Sequence, residues 1–572
     1  VFIHSGGTNT VGRLVVGCGW ESRATYELMG AGHLVAGEEL VVHCGGGEAS
    51  SFLQDGGTNT VDRLKIGWEN PEGPGSPPDR YVLTGGTLEV LAGLILAGGG
   101  ELHLDGCSLD LTWENVVADF SGGRVVGAGN ASLTVLGTDS LVILSPGQEP
   151  NNWFGSFSNA GWTHVAGSPL VVPDANNHAW AGEIQEHVVC EGTITAAPGK
   201  GLDLTGGLEL RSGASVDLGK GKLVVRDRDS NMIGGSQLTA NKEFIGYPNG
   251  GTFTQTGGTH ALNVLVLGSH WWYWGEEATF NLAGGTLTVG TLLIGGEEED
   301  ILAAESEEFI YATFNLCGGV LEVGELRMGY VECTWGSPPT NAFHFTGGTL
   351  KAGFMNFDLD QYGGVLAPGR SVGTTTIDGS YAQYAGALAI ELGGSDNSDA
   401  NHPQYDVLDV AGAVYLAGSL ELNWLPVPGD ANSRFGGDYD VVVYGGVLFG
   451  EFADLGGNID PVYIADIDYD CDLGDGNSAV RITLHDLLDG DADLDGLVGR
   501  SDFHALQEGF GSADPNWFDG DFNFDGRVDF RDYLTWKANV GDSVASGKAP
   551  DPATFALLAI GGSLALLRRR RR

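Results

Sequence analysis

The chain has 572 residues, of which 75 are acidic and 28 are basic, so its formal net charge is −47 at pH 7. Nucleic acid, acidic polysaccharides and anionic membrane surfaces would all be repelled by that charge. Glycine supplies 94 residues without a three-residue period, which excludes collagen and predicts dense turns. A chain of this length exceeds one ordinary core, so we expect several domains or a repeat array.

Residues 1–362 are rich in glycine and contain internal repeats. Segment 2–17 recurs fifty positions later as 52–67, and segment 280–295 recurs with an offset of 34 as 314–329. Further copies begin at Phe253 and Phe345. Each copy follows the order Phe-x-Leu/Gln-x-Gly-Gly-x-Leu-x-Val, which alternates apolar and polar residues about a Gly-Gly bend. This alternation predicts short β-strands.

Stacking of these units predicts a mainly β fold, a parallel β-helix or similar β-solenoid, because one unit buries too little apolar surface to fold alone. The stack would place Leu287, Val289 and Ile294 beside Leu321, Val323 and Met328. The polar insertions 70–80 and 297–308 would loop out from the surface. An antiparallel sandwich array is the alternative. The units resemble repeats of large exported bacterial β-solenoid proteins, including autotransporter-associated strands.

The pattern changes near Gly363. Segments 381–392, 405–410 and 439–444 have no central Gly-Gly and predict longer strands. We interpret 363–485 as an all-β closing domain that caps the open end of the solenoid, because uncovered edge strands promote aggregation.

Catalytic residues are not evident in the sequence. Segment 369–373 reads Gly-Arg-Ser-Val-Gly, the spacing of a hydrolase nucleophile, but the β-branched segment 374–377 follows where a helix is required. The run Trp271–Trp274 could be a sugar-stacking platform, although a loop folded over the solenoid is favoured. The seven cysteines are scattered and odd in number, so they predict no disulfide framework.

Two copies of an acidic twelve-residue pattern follow, thirty residues apart. The copies are Asp491, Asp493, Asp495, Gly496, Val498 and Asp502, then Asp521, Asn523, Asp525, Gly526, Val528 and Asp532. In calcium loops, positions 1, 3 and 5 supply side-chain oxygens, position 7 a backbone carbonyl and position 12 a carboxylate, while glycine at position 6 permits the turn. A single copy could be an acidic turn, but two copies in register predict two Ca²⁺ sites.

The remaining loop positions complete the predicted ligand sets. Position 7 is Leu497 in loop one and Arg527 in loop two. Position 9 is Gly499, where water is expected to fill the vertex, or Asp529, which could hold that water. Each loop collects four carboxylates that repel one another, so calcium affinity should appear as folding free energy.

Each loop is followed by a short helical pattern, whereas no full helix precedes either loop. Such a tandem unit, residues 489–543, resembles the type I dockerin module. The resemblance implies an α-helical calcium-folded module that docks into cohesin domains of other proteins. It also implies that loop positions 10 and 11 face the partner; these are Arg500, Ser501, Phe530 and Arg531.

The tail, residues 544–572, contains Pro550, Asp551 and Pro552, an apolar stretch at 553–567 and five terminal arginines. Fifteen helical residues span about 22 Å, short of the ~30 Å hydrocarbon core. The tail resembles the PEP-CTERM sorting signal of exported bacterial proteins. This implies transient inner-membrane association of a hydrophobic helix and processing by an exosortase-type enzyme. The alternative is an apolar helix that packs on the protein's own core.

These inferences predict an exported protein of the cell surface or extracellular space, with a structural or adhesive role. It would couple to a cohesin-like domain through its calcium-folded module. The competing prediction is a polysaccharide-degrading enzyme, a glycoside hydrolase or lyase, whose active site lies on the β-helix. An extracellular polysaccharide is an open partner in either case, and nucleic acid is not expected. Val1 falls inside a repeat, so we expect an export signal to lie outside this sequence.

Overall fold

A computed structural model describes most of the chain up to residue 542. The described residues are 1–17, 23–42, 49–67, 77–105, 115–127, 132–135, 139–154, 156–225, 229–246, 250–268, 277–295, 311–329, 341–397, 403–425, 436–459, 464–474, 476–484, 488–512, 515–523 and 525–542. The insertion at 297–308, the run Trp271–Trp274 and the tail with its sorting signal all lie outside these residues, as do four of the cysteines. The described cysteines, Cys190, Cys317 and Cys471, are free thiols.

The chain divides into two compact units, Val1–Leu366 and Ala367–Arg572. Both are mainly β with parallel sheets, and the parallel pairing is consistent with the predicted β-solenoid-like fold. The predicted domain boundaries at 362/363 and 485/489 stay predictions.

Unit one has long strands within residues 2–96 and 251–355, mostly short strands between these two groups, and two short strands at its end. The strands are β1 (Phe2–Val16), β2 (Thr25–Val41), β3 (Ser51–Ile66), β4 (Arg80–Leu96), β5 (Glu101–Leu104), β6 (Val117–Asp119), β7 (Arg124–Val126), β8 (Ser132–Val135), β9 (Leu141–Leu144), β10 (Ser156–Asn159), β11 (Trp162–Val165), β12 (Leu170–Val172), β13 (Asn177–Trp180), β14 (Gly182–Ile184), β15 (Val188–Cys190), β16 (Thr193–Ala196), β17 (Leu202–Leu204), β18 (Leu208–Leu210), β19 (Ser215–Asp217), β20 (Lys222–Val225), β21 (Ser230–Met232), β22 (Gln237–Ile245), β23 (Gly251–Leu267), β24 (Glu277–Ile294), β25 (Tyr311–Met328), β26 (Ala342–Met355), β27 (Leu359–Gln361) and β28 (Val365–Leu366). A 3-10 turn spans Pro150–Asn152.

Unit two has short strands followed by two helices. The elements are β29 (Thr374–Ile377), β30 (Tyr381–Gln383), β31 (Ala387–Leu392), β32 (Val407–Val410), β33 (Val414–Leu416), β34 (Ser419–Trp424), β35 (Gly437–Tyr444), β36 (Leu448–Gly450), β37 (Asp454–Gly457), β38 (Ile464–Asp472), β39 (Ser478–Leu484), α1 (Arg500–Gly509) and α2 (Phe530–Asn539), with a 3-10 turn at Trp517–Asp519.

Every third short strand pairs in parallel, which is the pattern of a three-sided coil. In unit one β12 pairs β15, β13 pairs β16 and β14 pairs β17. In unit two β29 pairs β32, β30 pairs β33 and β31 pairs β34. The last strand, β39, pairs antiparallel with both β35 and β38. Unit two therefore continues the parallel coil pattern in its own strands and ends it with antiparallel strands.

The predicted interior ladder of the repeats is confirmed by the register of β24 and β25. Leu287 pairs with Leu321, Val289 with Val323 and Ile294 with Met328. Phenyl rings stack in the same way: the ring centroids of Phe253, Phe280, Phe314 and Phe343 are separated by 5.1, 5.0 and 5.5 Å along the stack. Each rung thus buries its apolar face only against its neighbours, as expected of a repeat array.

The predicted short strands of the repeats are wrong, because β24 and β25 each run for 18 residues through the Gly-Gly bend. At the bend Gly319 has φ +68°, and a Cβ there would lie 2.5 Å from the carbonyl oxygen of Gly285. Glycine therefore lets the chain turn with only a shift in register. The longer strands predicted after Gly363 are also wrong, since β29 has four residues and β35 eight.

A buried amide closes several of these bends. The Nε2 of Gln54, Gln255 and Gln361 donates to the carbonyl oxygen of the glycine three residues later, at 3.5, 3.5 and 3.1 Å. Gln54 and Gln255 also donate to a carbonyl oxygen of the next rung, at 2.9 and 3.1 Å. The amide therefore adds side-chain hydrogen bonds across the bend and, for Gln54 and Gln255, between neighbouring rungs.

Among the described residues, no helix combines the length and the apolarity needed to cross a lipid bilayer.

Candidate metal centre

Loop one is held closed by hydrogen bonds from its backbone to its own carboxylates. Asp491 Oδ2 accepts from the Gly496 amide at 2.9 Å. Asp502 Oδ1 accepts from Ala492 at 2.7 Å, and its Oδ2 accepts from Gly499 at 2.6 Å. The first and last acidic positions of the pattern therefore bind opposite sides of the same turn.

Three of the predicted ligands of loop one converge. Asp491, Asp493 and Asp502 each offer an oxygen, and these oxygens lie within 4.8 Å of one another. Asp491 is only 2% exposed, and its Oδ1 is buried with no hydrogen-bond partner. A buried carboxylate oxygen without a donor is costly unless a cation neutralises it.

The electrostatics of the cluster agree with this arrangement. Burial raises the pKa of Asp491 to about 6, and the charges of Asp502, Asp495 and Asp493 raise it as well, although the hydrogen bond from Gly496 opposes them. Hard oxygen donors of this kind suit Ca²⁺, whereas zinc prefers nitrogen and sulfur. The residues of loop one therefore fit the predicted ion.

Loop two repeats these hydrogen bonds thirty residues later. Asp521 Oδ2 accepts from Gly526 at 2.9 Å. Asp532 accepts from Phe522 through Oδ1 at 3.0 Å and from Asp529 through Oδ2 at 2.8 Å. Burial raises the pKa of Asp532, and the charge of Asp521 adds to the rise. The two loops thus share one backbone design.

The remaining predicted ligands are more exposed. Asp493, Asp495, Asn523 and Asp525 are exposed, as is Arg527, while Leu497 is 46% exposed. Asp525 differs from its counterpart Asp495 because the Arg531 guanidinium lies 3.2 Å from its Oδ2. A cation beside one carboxylate of loop two would compete there with a bound ion. Asp529 Oδ1 accepts from the Arg531 amide at 2.7 Å, so Asp529 also caps a helix.

The two helices begin at equivalent positions. Helix α1 starts at Arg500 and helix α2 at Phe530, thirty residues later. Asp502 and Asp532 are the third residues of the two helices. Each of these carboxylates accepts both from its own loop and from the residue before the helix, so it joins the loop to the helix.

The two repeats are joined by reciprocal backbone bonds. The Gly511 amide donates to Val528 O at 3.2 Å, and the Gly541 amide donates to Val498 O at 2.9 Å. Gly511 and Gly541 are thirty residues apart, as are Val498 and Val528. Each loop therefore pairs with the glycine two residues beyond the helix of the opposite repeat, which gives the module an approximate twofold arrangement.

Two glycines complete the same arrangement. A Cβ on Gly490 would lie 2.9 Å from Trp536 Cα, and one on Gly520 would lie 2.6 Å from Leu506 Cα. Both glycines have positive φ, +102° and +93°. The helix of each repeat thus lies directly against the residue that precedes the loop of the other, where no side chain fits.

Tryptophans tie the loops to the small apolar core of the module. Trp517 Nε1 donates to Asp491 O at 2.6 Å, and Trp536 Nε1 donates to Gly499 O at 3.0 Å. The rings of Phe503 and Trp536 lie 4.7 Å apart. Neither tryptophan contact was predicted from the sequence. A tryptophan four residues before an acidic loop is the available signal.

The residues predicted to face a partner lie on the surface. Arg500, Ser501 and Arg531 are exposed, and Phe530 is 55% exposed. Leu497, Phe518 and Leu534 are exposed apolar residues of the same module.

Paired carboxylates do occur on the solenoid, in a cleft of about 50 Å³ in unit one. Glu183 and Asp203 face each other in the β14–β17 register. The Arg63 guanidinium binds Asp203, and the Lys65 ammonium lies 3.9 Å from Glu183. Ligand pockets are typically several hundred Å³, so this cleft would not admit a sugar ring. Its charges are those of a structural ion-pair cluster.

The sequence matches no protein-family model and no curated protein.

Proposed function

We propose that residues 489–543 bind two calcium ions and form a coupling module that docks on a protein partner, as the dockerin resemblance implies. The observation that carries the proposal is the buried, unpartnered Oδ1 of Asp491. It belongs to an oxygen cluster with Asp493 and Asp502 in a turn that closes on these carboxylates. A cation there would satisfy that oxygen and relieve the repulsion among the carboxylates.

The ligand sets would be alike but not equal. In loop one Asp491, Asp493, Asp495 and Asp502 would hold the ion with the carbonyl of Leu497. In loop two Asp521, Asn523, Asp525 and Asp532 would do so with the carbonyl of Arg527. Calcium supplies positive charge and fixed coordination geometry, while the chain supplies the oxygens. Loop two should bind more weakly, because Arg531 lies 3.2 Å from Asp525 and one ligand is a neutral amide.

The partner surface would include the exposed residues Arg500, Ser501, Phe530 and Arg531. Phe530 supports this role, because an aromatic side chain more than half exposed is a typical anchor of protein interfaces. The two copies offer different pairs, Arg-Ser and Phe-Arg, so the two faces would bind with unequal affinity. A cohesin-like domain is the partner class that the resemblance implies.

We further propose that the protein is exported and held at the cell envelope, as the resemblance of residues 550–572 to a sorting signal implies. Processing near Pro550–Pro552 by an exosortase-type enzyme would then release it from the membrane. Intact-mass analysis of protein recovered from the cell surface tests this step. A mass that ends near residue 552 supports processing, and the full-length C-terminus contradicts it.

Hydrogen exchange of the full chain tests the calcium proposal. We expect the amides of 489–542 to be protected in calcium and to exchange rapidly in excess chelator. The amides of β24 and β25 provide the internal control and should stay protected in both conditions. Equal protection of 489–542 with and without calcium would contradict the proposal.

The coupling role requires a separate test. A pull-down with the full chain, in calcium and in chelator, is expected to retain a partner only in calcium. The double variant Phe530→Ala/Arg531→Ala should lose that partner while it keeps calcium-dependent protection. Retention of the same partner in chelator would refute coupling through a calcium-folded module.

A further inference from the structure

A row of exposed aromatic side chains crosses three successive rungs of unit two. Tyr384 is 49% exposed, Tyr415 40% and Phe449 56%. Tyr415 and Phe449 are direct register partners in β33 and β36, and the rings of Tyr384 and Tyr415 lie 5.5 Å apart. We refer to these three residues as the aromatic row.

Folding alone does not account for the aromatic row. The neighbouring inward positions Val414 and Leu416 are already buried and fill the core at this rung. In contrast, the aromatic row occupies outward positions, where a polar side chain would serve the fold equally well. Three large rings brought together on a surface form an apolar patch, and such patches are characteristic of binding sites.

The segments that carry the aromatic row are themselves uncharged, although acidic residues such as Glu391 and Glu451 flank them. Segments 379–390, 411–420 and 441–450, which carry the three rungs, contain no Asp, Glu, Lys or Arg. This absence stands out in a chain with a net charge of −47. An anionic partner would be repelled by the chain as a whole, and a cationic partner would find no carboxylate within these segments to pair with. The surface therefore suits a neutral ligand.

The residues around the rings favour one of three candidates: an apolar peptide, a second copy of the chain or a sugar. Small residues flank the rings, including Ala382, Ala385, Gly446 and Gly450, and all are at least partly exposed. The pocket that an apolar peptide anchor requires needs bulky walls, which these small residues do not supply. A second copy of this highly negative chain would be repelled. A sugar ring, in contrast, presents a flat C–H face to an aromatic ring while its hydroxyls stay in water.

The spacing of the rungs also suits a sugar chain. Parallel strands repeat at about 4.8 Å, so rings on successive rungs recur at nearly the length of one sugar residue in an extended glycan. An extended chain laid across the rungs can therefore stack successive sugars on Phe449, Tyr415 and Tyr384.

We propose that the aromatic row of Tyr384, Tyr415 and Phe449 is a binding site for an extended neutral polysaccharide. The site binds and does not cleave, since the three uncharged segments that form it provide no carboxylate for acid or base catalysis. It is independent of the calcium loops. A failure of this site would leave the proposed coupling function untouched, and the reverse also holds.

Binding of the full chain to insoluble cellulose, chitin, xylan and mannan tests the proposal, with polygalacturonate as the acidic control. We expect retention on at least one neutral polymer and none on polygalacturonate. The variant Tyr415→Ala/Phe449→Ala should weaken that retention by about tenfold or more. Tyr415→Phe should keep it, because the ring is preserved.

The matched control is Phe518→Ala, which removes an equally exposed ring, 52% exposed, from the calcium module. It should leave glycan retention unchanged. The proposal is overturned if the wild-type chain is retained on none of the neutral polymers, or if Tyr415→Ala/Phe449→Ala is retained as well as wild type. Concentration-dependent self-association that this variant abolishes would assign the row to contact between copies and would also overturn it. Circular dichroism and the melting temperature establish that each variant is folded.

Discussion

The repeats of unit one and the C-terminal acidic loops bury opposite kinds of side chain. In β23–β26 the centre is a stack of four phenyl rings, of which Phe253, Phe280 and Phe314 are fully buried. In residues 489–542 the most buried positions include Asp491, Asp502, Asp521 and Asp532, each at most 2% exposed. The first region gains stability mainly from apolar burial, whereas the second concentrates negative charge. Removal of divalent ions should therefore affect only the second.

The largest loss of stability is expected from Phe280→Ala, which tests the apolar core of the repeats. The substitution opens a cavity in the middle of the ring stack and should lower the free energy of unfolding by about 3–5 kcal/mol. Guanidinium unfolding followed by circular dichroism measures the loss. Phe449→Ala is the control, and its exposed ring should change the value by less than about 0.5 kcal/mol. Calcium binding should be the same in both variants.

A buried carboxyl group in the repeats, that of Glu39, should make the stability of unit one depend on pH. Glu39 is fully buried beside Asn59, whose Nδ2 donates to it at 2.8 Å. Burial raises the pKa of Glu39 from 4.5 to about 8, so the folded state keeps a proton that the unfolded state loses. Stability is therefore full below about pH 4.5 and declines as the pH rises towards 8, by about 4 kcal/mol.

Glu39→Gln should remove that decline, because the amide is neutral at every pH. Glu38→Gln is the matched control: its side chain is 41% exposed and pairs with Arg13 at 2.8 Å. The melting temperature measured from pH 5 to pH 8 should fall less in Glu39→Gln than in wild type. The interpretation fails if both variants show the wild-type slope.

Calcium binding by the two loops can be tested separately with one substitution in each loop. Asp502→Ala and Asp532→Ala each remove a position-12 ligand together with the amide acceptor at the start of a helix. Each should reduce calcium stoichiometry from two ions to one and lower the calcium-dependent stability by about 2 kcal/mol. Asp468→Ala, on the exposed face of β38, is the acidic control and should change neither quantity.

The smallest effect is expected at a bend. Gln255→Leu removes the hydrogen bonds to Gly258 O and Thr286 O, although leucine occupies the matching register positions 282 and 316 of the next rungs. We expect the free energy of unfolding, measured with guanidinium, to fall by about 1 kcal/mol or less. A loss as large as that of Phe280→Ala would show that the amides, and not the rings, stabilise the repeats.

The sequence predicted the repeat architecture where copies share a constant offset, and it failed where copies have diverged. Segments 2–17 and 52–67 look like neighbours fifty residues apart, yet β2 lies between them as a rung of its own. In β2, Tyr26 replaces the phenylalanine and Ala31-Gly32 takes the register of the double glycine Gly6-Gly7. The stack tolerates both changes, because the Tyr26 ring still lies 4.9 Å from that of Phe52.

The acidic loops were likewise predicted only in part from the sequence. The thirty-residue offset located every acidic position and both helices, because ligand spacing is strict within a loop. The contacts between repeats were not predictable, since Gly490 against Trp536 and Gly511 to Val528 depend on how two short helices cross. The ion pair between Arg531 and Asp525 was not predicted either, because Arg531 was assigned only to the partner surface.

The central claim is that the two acidic loops exist to hold calcium. Isothermal titration calorimetry of the full chain with Ca²⁺ at pH 7 tests it most directly. The account predicts two bound ions in the wild-type chain, with the weaker site lost in Asp532→Ala and the stronger one in Asp502→Ala. Absence of binding heat, or binding that neither variant alters, would contradict it.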